Sequence, residues 1–534
     1  MAAGTPLPAA TPRKRTVPAI SRPDGSSEQA GPIRTIVVVG GGTAGWISAA
    51  MLARALTGTG TRITLVESAD IGVIGVGEAT IPPFVDMLQF LGINLADFIR
   101  HTAATMKLGI RFDDWNGAGT SYWHPFGTFG TSIAKRPFHH AMLRARAGGA
   151  SPRIADFNLC AALAERDLAF PPAGPLPGGA RFALHLDAVL VARYLRQYAE
   201  MLGVTRHEAT VASAIRDDRG MIGAIVLTDG RQLAADVFID ASGFRGVLIE
   251  QELHTGYLDW RAHLPCDRAL AVPTPRDTAL PPFTVSAAMA AGWRWRIPLQ
   301  HRCGNGYVYS SAHLDDDAAR AELLRALGNP SGAQPRALRF IPGRRNRAWV
   351  GNCVAIGLSS GFLEPLESTS IHLICAGVLN LLDHFPDRRC SPALADSYNA
   401  ELARELDHIR DFLILHYALT TRRDTPFWRD IAAAALPDSL RARIELYSEA
   451  GLIRPHPRDL FTEPSWFYVL DGMGLVPRTT DRMLDVLDPA RLSAMLQQIR
   501  RDTLAGAAQA VAHADLFPPS PAQSPASAGA TISA

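Results

Sequence analysis

The chain predicts a mixed α/β (α+β) fold, and three observations carry that prediction. An apolar strand, a glycine-rich turn and a helical period follow one another within residues 34–56. Two apolar strands flank a tight turn near residue 229, and the chain beyond about residue 365 runs mainly in helical periods.

The first element is "RTIVVVGGGTAGWISAAMLARAL". Ile36 to Val39 reads as a short buried strand, Gly40 to Gly45 as G-x-G-x-x-G, and a helix pattern follows. "RITLVE" then supplies a second strand ending at Glu67, 22 residues beyond Gly45. That combination is the fingerprint of a Rossmann-like dinucleotide site. Gly40 permits the tight turn, Gly42 lets the backbone approach a pyrophosphate, and Gly45 lets the helix pack closely. The helix N-terminus meets the phosphate charge, and Glu67 accepts from ribose hydroxyls.

The second element is "GAIVLTDGRQLAADVFIDASG". Asp229-Gly230 makes a hairpin turn between two strands, and a further strand ends at Asp240. A nucleotide domain that the chain leaves and re-enters in this way favours FAD over NAD. The third element is helical: "HLICAGVLNLLDHF", "YNAELARELDHIRDFLILHYAL" and "RMLDVLDPARLSAMLQQIRRDTL" repeat apolar residues at intervals of three and four.

Composition removes several function classes. A net charge of +2 provides no basic field for nucleic acid. No run of about 20 apolar residues reads as a membrane span. Six cysteines without a C-x-x-C spacing argue against a zinc ribbon or a disulfide scaffold and suit a reducing cytoplasm; no metal site is expected. Residues 1–33 and 517–534 are rich in Pro, Ala and Ser and read as disordered tails. "GWRWRIPL" stands apart, because Trp293 and Trp295 are two of only nine tryptophans. In a strand they share one face and form a slab of indole, which by itself reads as core packing.

Four motifs in order, "GGGTAGW", "GVGEATIP", "GWRWRIP" and "GLSSGFLEPLEST", give the chain a resemblance to flavin-dependent tryptophan halogenases. The likeness covers about Thr35 to Asp424 and a patch, "WFYVLDGMGLVPR", starting at Trp466. It implies an FAD-binding module of the flavin hydroxylase type over residues 34–365, with an inserted substrate-side sheet. A mainly helical portion over 366–516 completes the pocket. It also implies the chemistry. A separate NAD(P)H-dependent flavin reductase supplies FADH2, dioxygen and a chloride or bromide ion yield hypohalous acid, and a lysine presents the halogen to a small aromatic substrate.

Residue by residue, the resemblance makes Lys107, in a segment read as helical, the halogen-presenting lysine. Glu367 is its acidic partner, polarising the oxidant or taking the ring proton. Thr369 and Ser370 offer first-turn helix amides to the halide, Ser370 standing where the family usually has glycine. His124 and Phe126 stack the substrate ring. Besides the glycine turn, FAD contacts carry over to Gly41, Thr43, Ala44, Ser68, Glu78, Ala79, Val211, Leu358 and Ile371. Trp293 and Trp295 become a wall between flavin and substrate, while Glu364 is read as structural. A homodimer is left open, and neither a nucleic-acid partner nor a membrane is expected.

One departure qualifies the substrate. "AGLIRPHPRDLFTEPS" is shorter than the family's aromatic lid and rich in Arg and Pro, with Phe461 a poor counterpart of the second sandwiching ring. The expectation is a wide mouth near residues 448–465, Lys107 reachable from solvent, and an indole-like arene as substrate instead of free tryptophan. Direct hydroxylation on the same fold, and a silent FAD- or ligand-binding protein, are the competing readings.

Overall fold

The strand Thr35–Val39 is an interior strand of the nucleotide-side sheet. Its four apolar residues, Ile36 to Val39, are all buried, as a parallel strand covered on both faces requires. A computed structural model describes residues 31–68, 77–172 and 176–518. In it, Thr35–Val39 pairs in parallel with Arg62–Glu67 on one side and with Val237–Asp240 on the other. Thr205–Glu208 extends the sheet beyond Arg62–Glu67; Cys353–Ala355 and then Trp349–Val350 extend the opposite edge.

The helix Thr43–Ala55 follows the first strand, and Gly45 to Ala53 are buried without a break. A helix apolar all round needs cover on more than one side. It receives it from the helices Ala188–Met201 and Ser370–Asp383. The predicted hairpin joins Ile222–Leu227 to Gln232–Ala234, with Gly230 in the left-handed region at φ 85°. The chain then re-enters the parallel sheet at Val237–Asp240.

The second large sheet has seven strands: Arg336–Arg339, Arg268–Pro275, Arg302–Tyr309, Gly292–Pro298, Thr284–Met289, Gly109–Asp113 and Ser121–Pro125, in that spatial order. The tryptophan strand lies in the middle of it. A small antiparallel sheet, Gly77–Ala79, Ala183–Asp187 and Thr105–Lys107, packs against the seven-stranded one. Lys107 is therefore on a strand, not in the helical segment expected for it. Three residues carry little local signal, and pairing with Ala183–Asp187 decides their conformation.

Beyond residue 365 the chain is helical as read, with the longest helix at Pro392–Ala418. Among the described residues no helix is long and apolar enough to cross a membrane. All six cysteines are free and buried.

Both expected tail boundaries are corrected where the structure describes them; the rest of each tail, residues 1–30 and 519–534, lies outside the described residues. Ile33 and Phe517 are buried in the core, and the Phe517 carbonyl accepts from Arg276 Nη2 at 2.6 Å. Just before it, Val511–Ala512 pairs with Leu168–Ala169, and His513 enters the core. Its Nδ1 donates to the Leu280 carbonyl at 2.6 Å, and its Nε2 accepts from the Met106 amide at 3.2 Å. The residue preceding Lys107 is thus held by the far end of the chain.

Burial holds the His513 imidazole down to about 4, and both ring nitrogens are committed in the neutral form. The unfolded chain, with an ordinary histidine near 6.5, binds the extra proton first, so stability is full above that value and falls as pH drops toward 4. This one group contributes about 3 kcal/mol to the slope. His513→Phe is expected to be less stable at pH 8, having stranded the Met106 amide, yet to lose less further stability by pH 5 than the wild type. Urea unfolding at the two pH values measures both effects; parallel losses in the two proteins would contradict the assignment.

Candidate active site

A cavity of about 760 Å³ opens at the glycine turn. Gly40 has φ 118°, and a Cβ there would strike the Ala241 carbonyl, so only glycine fits. Gly45 does not line the cavity; a Cβ on it would strike the Gly40 carbonyl, which is the close helix packing expected of it. Gly42 caps the helix without a side chain and has open space before it. The first helix amides therefore face the cavity unblocked, an arrangement suited to phosphate.

Gly40, Gly41, Gly42, Thr43 and Ala44 form one end of the wall. Glu67 and Ser68 follow at the end of the second strand, with Ser68 Oγ accepting from Thr210 Oγ1 at 2.8 Å. The Glu67 carboxylate lies over Gly41 and is engaged by Arg206 and by Trp46 Nε1. Glu78, Ala79, Val211, Leu358 and Ile371 line the remainder, together with Ser370. Burial, reinforced by the Asp187 charge, pushes the Glu78 carboxyl up to about 7.

Trp293 and Trp295 face the same cavity, their ring centroids 6.3 Å apart and their planes tilted by 58°. The strand reading that set them on one face holds. Trp295 lies against Gly306, where any Cβ would collide with its ring. Trp293 is pinned by a polar contact, Nε1 donating to Glu364 Oε2 at 2.8 Å.

Lys107 has no exposed surface. Its Nζ donates to the Thr80 carbonyl at 2.9 Å and to Ser368 Oγ at 2.8 Å, and lies 5.4 Å from the centroid of Phe126. Burial lowers the ammonium to about 7, against the opposing pull of Glu367. The expectation that solvent reaches Lys107 is overturned, because the strand carrying it is enclosed. The segment expected to form an open mouth contributes buried Ile453, Asp459 and Phe461.

Glu367 is equally buried and has an imidazole at each oxygen. His124 Nδ1 donates to Oε2 at 2.7 Å, and His416 Nε2 lies 2.9 Å from Oε1. Burial alone would raise this carboxyl, but the two histidines prevail and hold it near 2. It is therefore an ionised anchor for the cationic side of the site and a weak acceptor of a ring proton. The Tyr122 hydroxyl, 2.6 Å from His416 Nδ1, continues the chain of contacts.

Thr369 caps the helix Ser370–Asp383 without bonding its first turn through its side chain; its Oγ1 is buried and unpartnered. His124 and Phe126 are both buried beside the lysine. Sequence reasoning missed the rings around His124: Phe412 at 5.6 Å and Tyr468 at 6.0 Å between centroids, with Phe461 at 5.9 Å. Phe461 is stacked on Phe412 at 3.8 Å, which gives this residue a firm seat. The available signal was the spacing of Phe412 and His416, four apart on one helix face. Among the described residues no group of three His, Cys, Asp or Glu side chains is arranged to hold a metal ion.

A cavity with a glycine turn and two tryptophans in its wall, and a buried lysine held by a residue of that wall, fits a flavin-dependent halogenase. The comparisons with known proteins agree. Residues 35–489 match the family model described as tryptophan halogenase, and the chain belongs to that family. It is 37% identical over 484 residues to tryptophan 7-halogenase RebH of Lentzea aerocolonigenes, covering 84% of this chain and 91% of the relative. Among solved structures, Xcc4156, a flavin-dependent halogenase from Xanthomonas campestris, superposes with a TM-score of 0.88 at 45% identity, covering 91% of this chain and 98% of that one. BrvH, a flavin-dependent halogenase from Brevundimonas sp. BAL3, gives 0.87 at 44% identity over 91% and 99% of the two chains.

Lys14, Lys107 and Lys135 are the only lysines in the chain, so carbon-labelled lysine gives three resolvable signals. Because the Glu367 charge raises the Lys107 pKa, Glu367→Gln is expected to move it below its value of about 7. NMR titration of the Lys107 Cε signal reads this directly. An unmoved midpoint would show that the two groups do not interact.

Proposed function

We propose that the protein uses FADH2, dioxygen and chloride or bromide to halogenate an electron-rich aromatic such as indole, with Lys107 as the halogen-presenting residue. The observation that carries this reading is the placement of Lys107: buried, hydrogen-bonded to Ser368 and Thr80, and beside the ionised Glu367. When bound, FADH2 would supply two of the four electrons that dioxygen takes up and the halide the other two, leaving FAD, water and hypohalous acid. The glycine turn and helix amides hold the cofactor's phosphates, with Glu67, Ser68, Glu78, Ala79, Val211, Leu358 and Ile371 around the rest of it. Trp293 and Trp295 keep the arene from the flavin, which favours halogenation over hydroxylation.

The buried amine holds the small oxidant at one point, and Glu367 keeps positive charge there without drawing the proton away. Ser370, which lines the flavin cavity, and the N-cap Thr369 before it offer the halide the first amides of a helix. His124 and Phe126 receive the arene. The short segment before Trp466 contributes Phe461 and Arg458, which pairs with Glu401, while its Asp459 pairs with Arg404 and Arg443 from two neighbouring helices. Those pairs leave the arginines less free to grip a substrate carboxylate, which supports an arene without an amino-acid head group. The module over 34–365 supplies flavin and wall, the helical portion over 366–516 completes the pocket, and a separate flavin reductase in the cytoplasm is the implied partner.

Incubation with FAD, a flavin reductase, NADH, bromide or chloride and a panel of indoles tests the reading. A halogen isotope pattern on indole, at least as strong as on tryptophan, is the expected result; a gain of one oxygen, or tryptophan turnover far above indole, would overturn it. Lys107→Ala is expected to lower aryl halide formation about 100-fold or more while flavin oxidation continues. Full activity in a folded variant would remove Lys107 from the mechanism. Ser370→Gly is expected to shift the ratio of chlorinated to brominated product in direct competition. Identical ratios would place Ser370 outside the halide site.

A further inference from the structure

The helix Pro392–Ala418 sends two consecutive side chains to the two carboxylates of one turn. His416 Nε2 lies 2.9 Å from Glu367 Oε1, and the Tyr417 hydroxyl donates to Glu364 Oε2 at 2.8 Å. Neighbouring residues on a helix diverge by about 100°, so the pair straddles the turn at 365–367. Glu367 faces the lysine side. Glu364 faces the wall, its Oε2 also accepting from Trp293 Nε1 at 2.8 Å.

An indole has a single polar atom, which donates only. Trp293 is fully buried, so its N–H must be paired or pay for its desolvation. Trp295 makes no such bond, its Nε1 being buried without a partner, and is oriented by steric contact with Gly306. The two wall rings are thus fixed by different means, and only Trp293 has an angular constraint. Burial pushes the Glu364 carboxyl up to about 7, so near neutrality a large fraction is uncharged. Its Oε1 is buried and unpartnered.

We propose that Glu364 and Tyr417 are positioning residues that hold the Trp293 indole as the barrier between the flavin cavity and the lysine, and so set the fraction of oxidant that ends on the arene. The role rests on the halogenase reading above, in which Trp293 is a wall, and it concerns acceptance of two hydrogen bonds, not transfer of a proton. An amide oxygen serves as well as a carboxyl oxygen for that purpose, whereas an alkyl side chain serves neither donor.

Two measurements test it. Protein labelled with 5-fluorotryptophan gives one ¹⁹F signal per tryptophan, and Trp293→Phe assigns the relevant one. Glu364→Leu is expected to shift and broaden the Trp293 signal while leaving the others in place, and Tyr417→Phe to do so less; Glu364→Gln is expected to keep it near its wild-type position. In turnover, Glu364→Leu is expected to give about fivefold less aryl halide per reduced flavin consumed, the change that loss of the Trp293 hydrogen bond makes, with hypohalous acid or peroxide released instead. Its KM for the arene is expected to stay close to that of the wild type, and Glu364→Gln to restore most of the yield. A Trp293 signal unmoved in folded Glu364→Leu overturns the proposal whatever the activity. A Glu364→Gln variant as uncoupled as Glu364→Leu overturns it too, assigning the carboxyl to proton transfer. Wild-type protein that forms no aryl halide defeats the halogenase reading and leaves the fluorine result to decide the role of Glu364 alone.

Discussion

A lysine with no exposed surface is the constraint around which this molecule is arranged. Removing an ammonium from water is costly, and the site offsets that cost with a carbonyl, a hydroxyl, an aromatic face and a nearby ionised carboxylate. Each compensating group comes from a different part of the chain: Thr80 from the end of a short strand, Phe126 from the edge of the seven-stranded sheet, Ser368 and Glu367 from the turn before a long helix. Glu367 in turn needs His124 and His416 to remain charged. Satisfying one buried cation therefore brings the small antiparallel sheet, the edge of the seven-stranded sheet and the helical portion to a single point.

The same economy explains how the two chambers stay in register. Thr105, two residues before Lys107, donates from its hydroxyl to the Pro298 carbonyl at 2.6 Å, so the lysine strand is tied to the end of the tryptophan strand. His185 supports Thr105 from the neighbouring strand. The wall and the amine are thus two outputs of one hydrogen-bonded lattice, and neither is displaced without strain on the other.

What the sequence made legible was local. The glycine turn, Glu67, the hairpin at Asp229-Gly230 and the paired tryptophans announce themselves within a few residues, because turn sterics and strand alternation act over that range. The motifs around Lys107 and Glu367 named the right side chains but not their setting. Lys107 was read on a helix and near solvent, since a three-residue strand exists only through pairing with residues far away in the chain. Phe412, His416 and Tyr417 were hidden in an ordinary helical period, where a residue facing the site has the same spacing as one facing the core. The lid was read as deficient because its length is visible in sequence, while the stacking of Phe461 on Phe412 is not.

The contact between His513 and the Met106 amide also orders events in time. These two residues are 407 positions apart, so on the ribosome the amide waits a long time before its acceptor emerges. The parallel sheet and its glycine turn are complete once Ala355 has been made, whereas the lysine strand receives this partner only once His513 has been made. A chain interrupted between Ile374 and His513 holds every residue of the nucleotide cavity and still lacks a finished seat for its lysine. Assembly of the part that would handle an aggressive oxidant is in this way made contingent on a segment synthesised well after the nucleotide cavity.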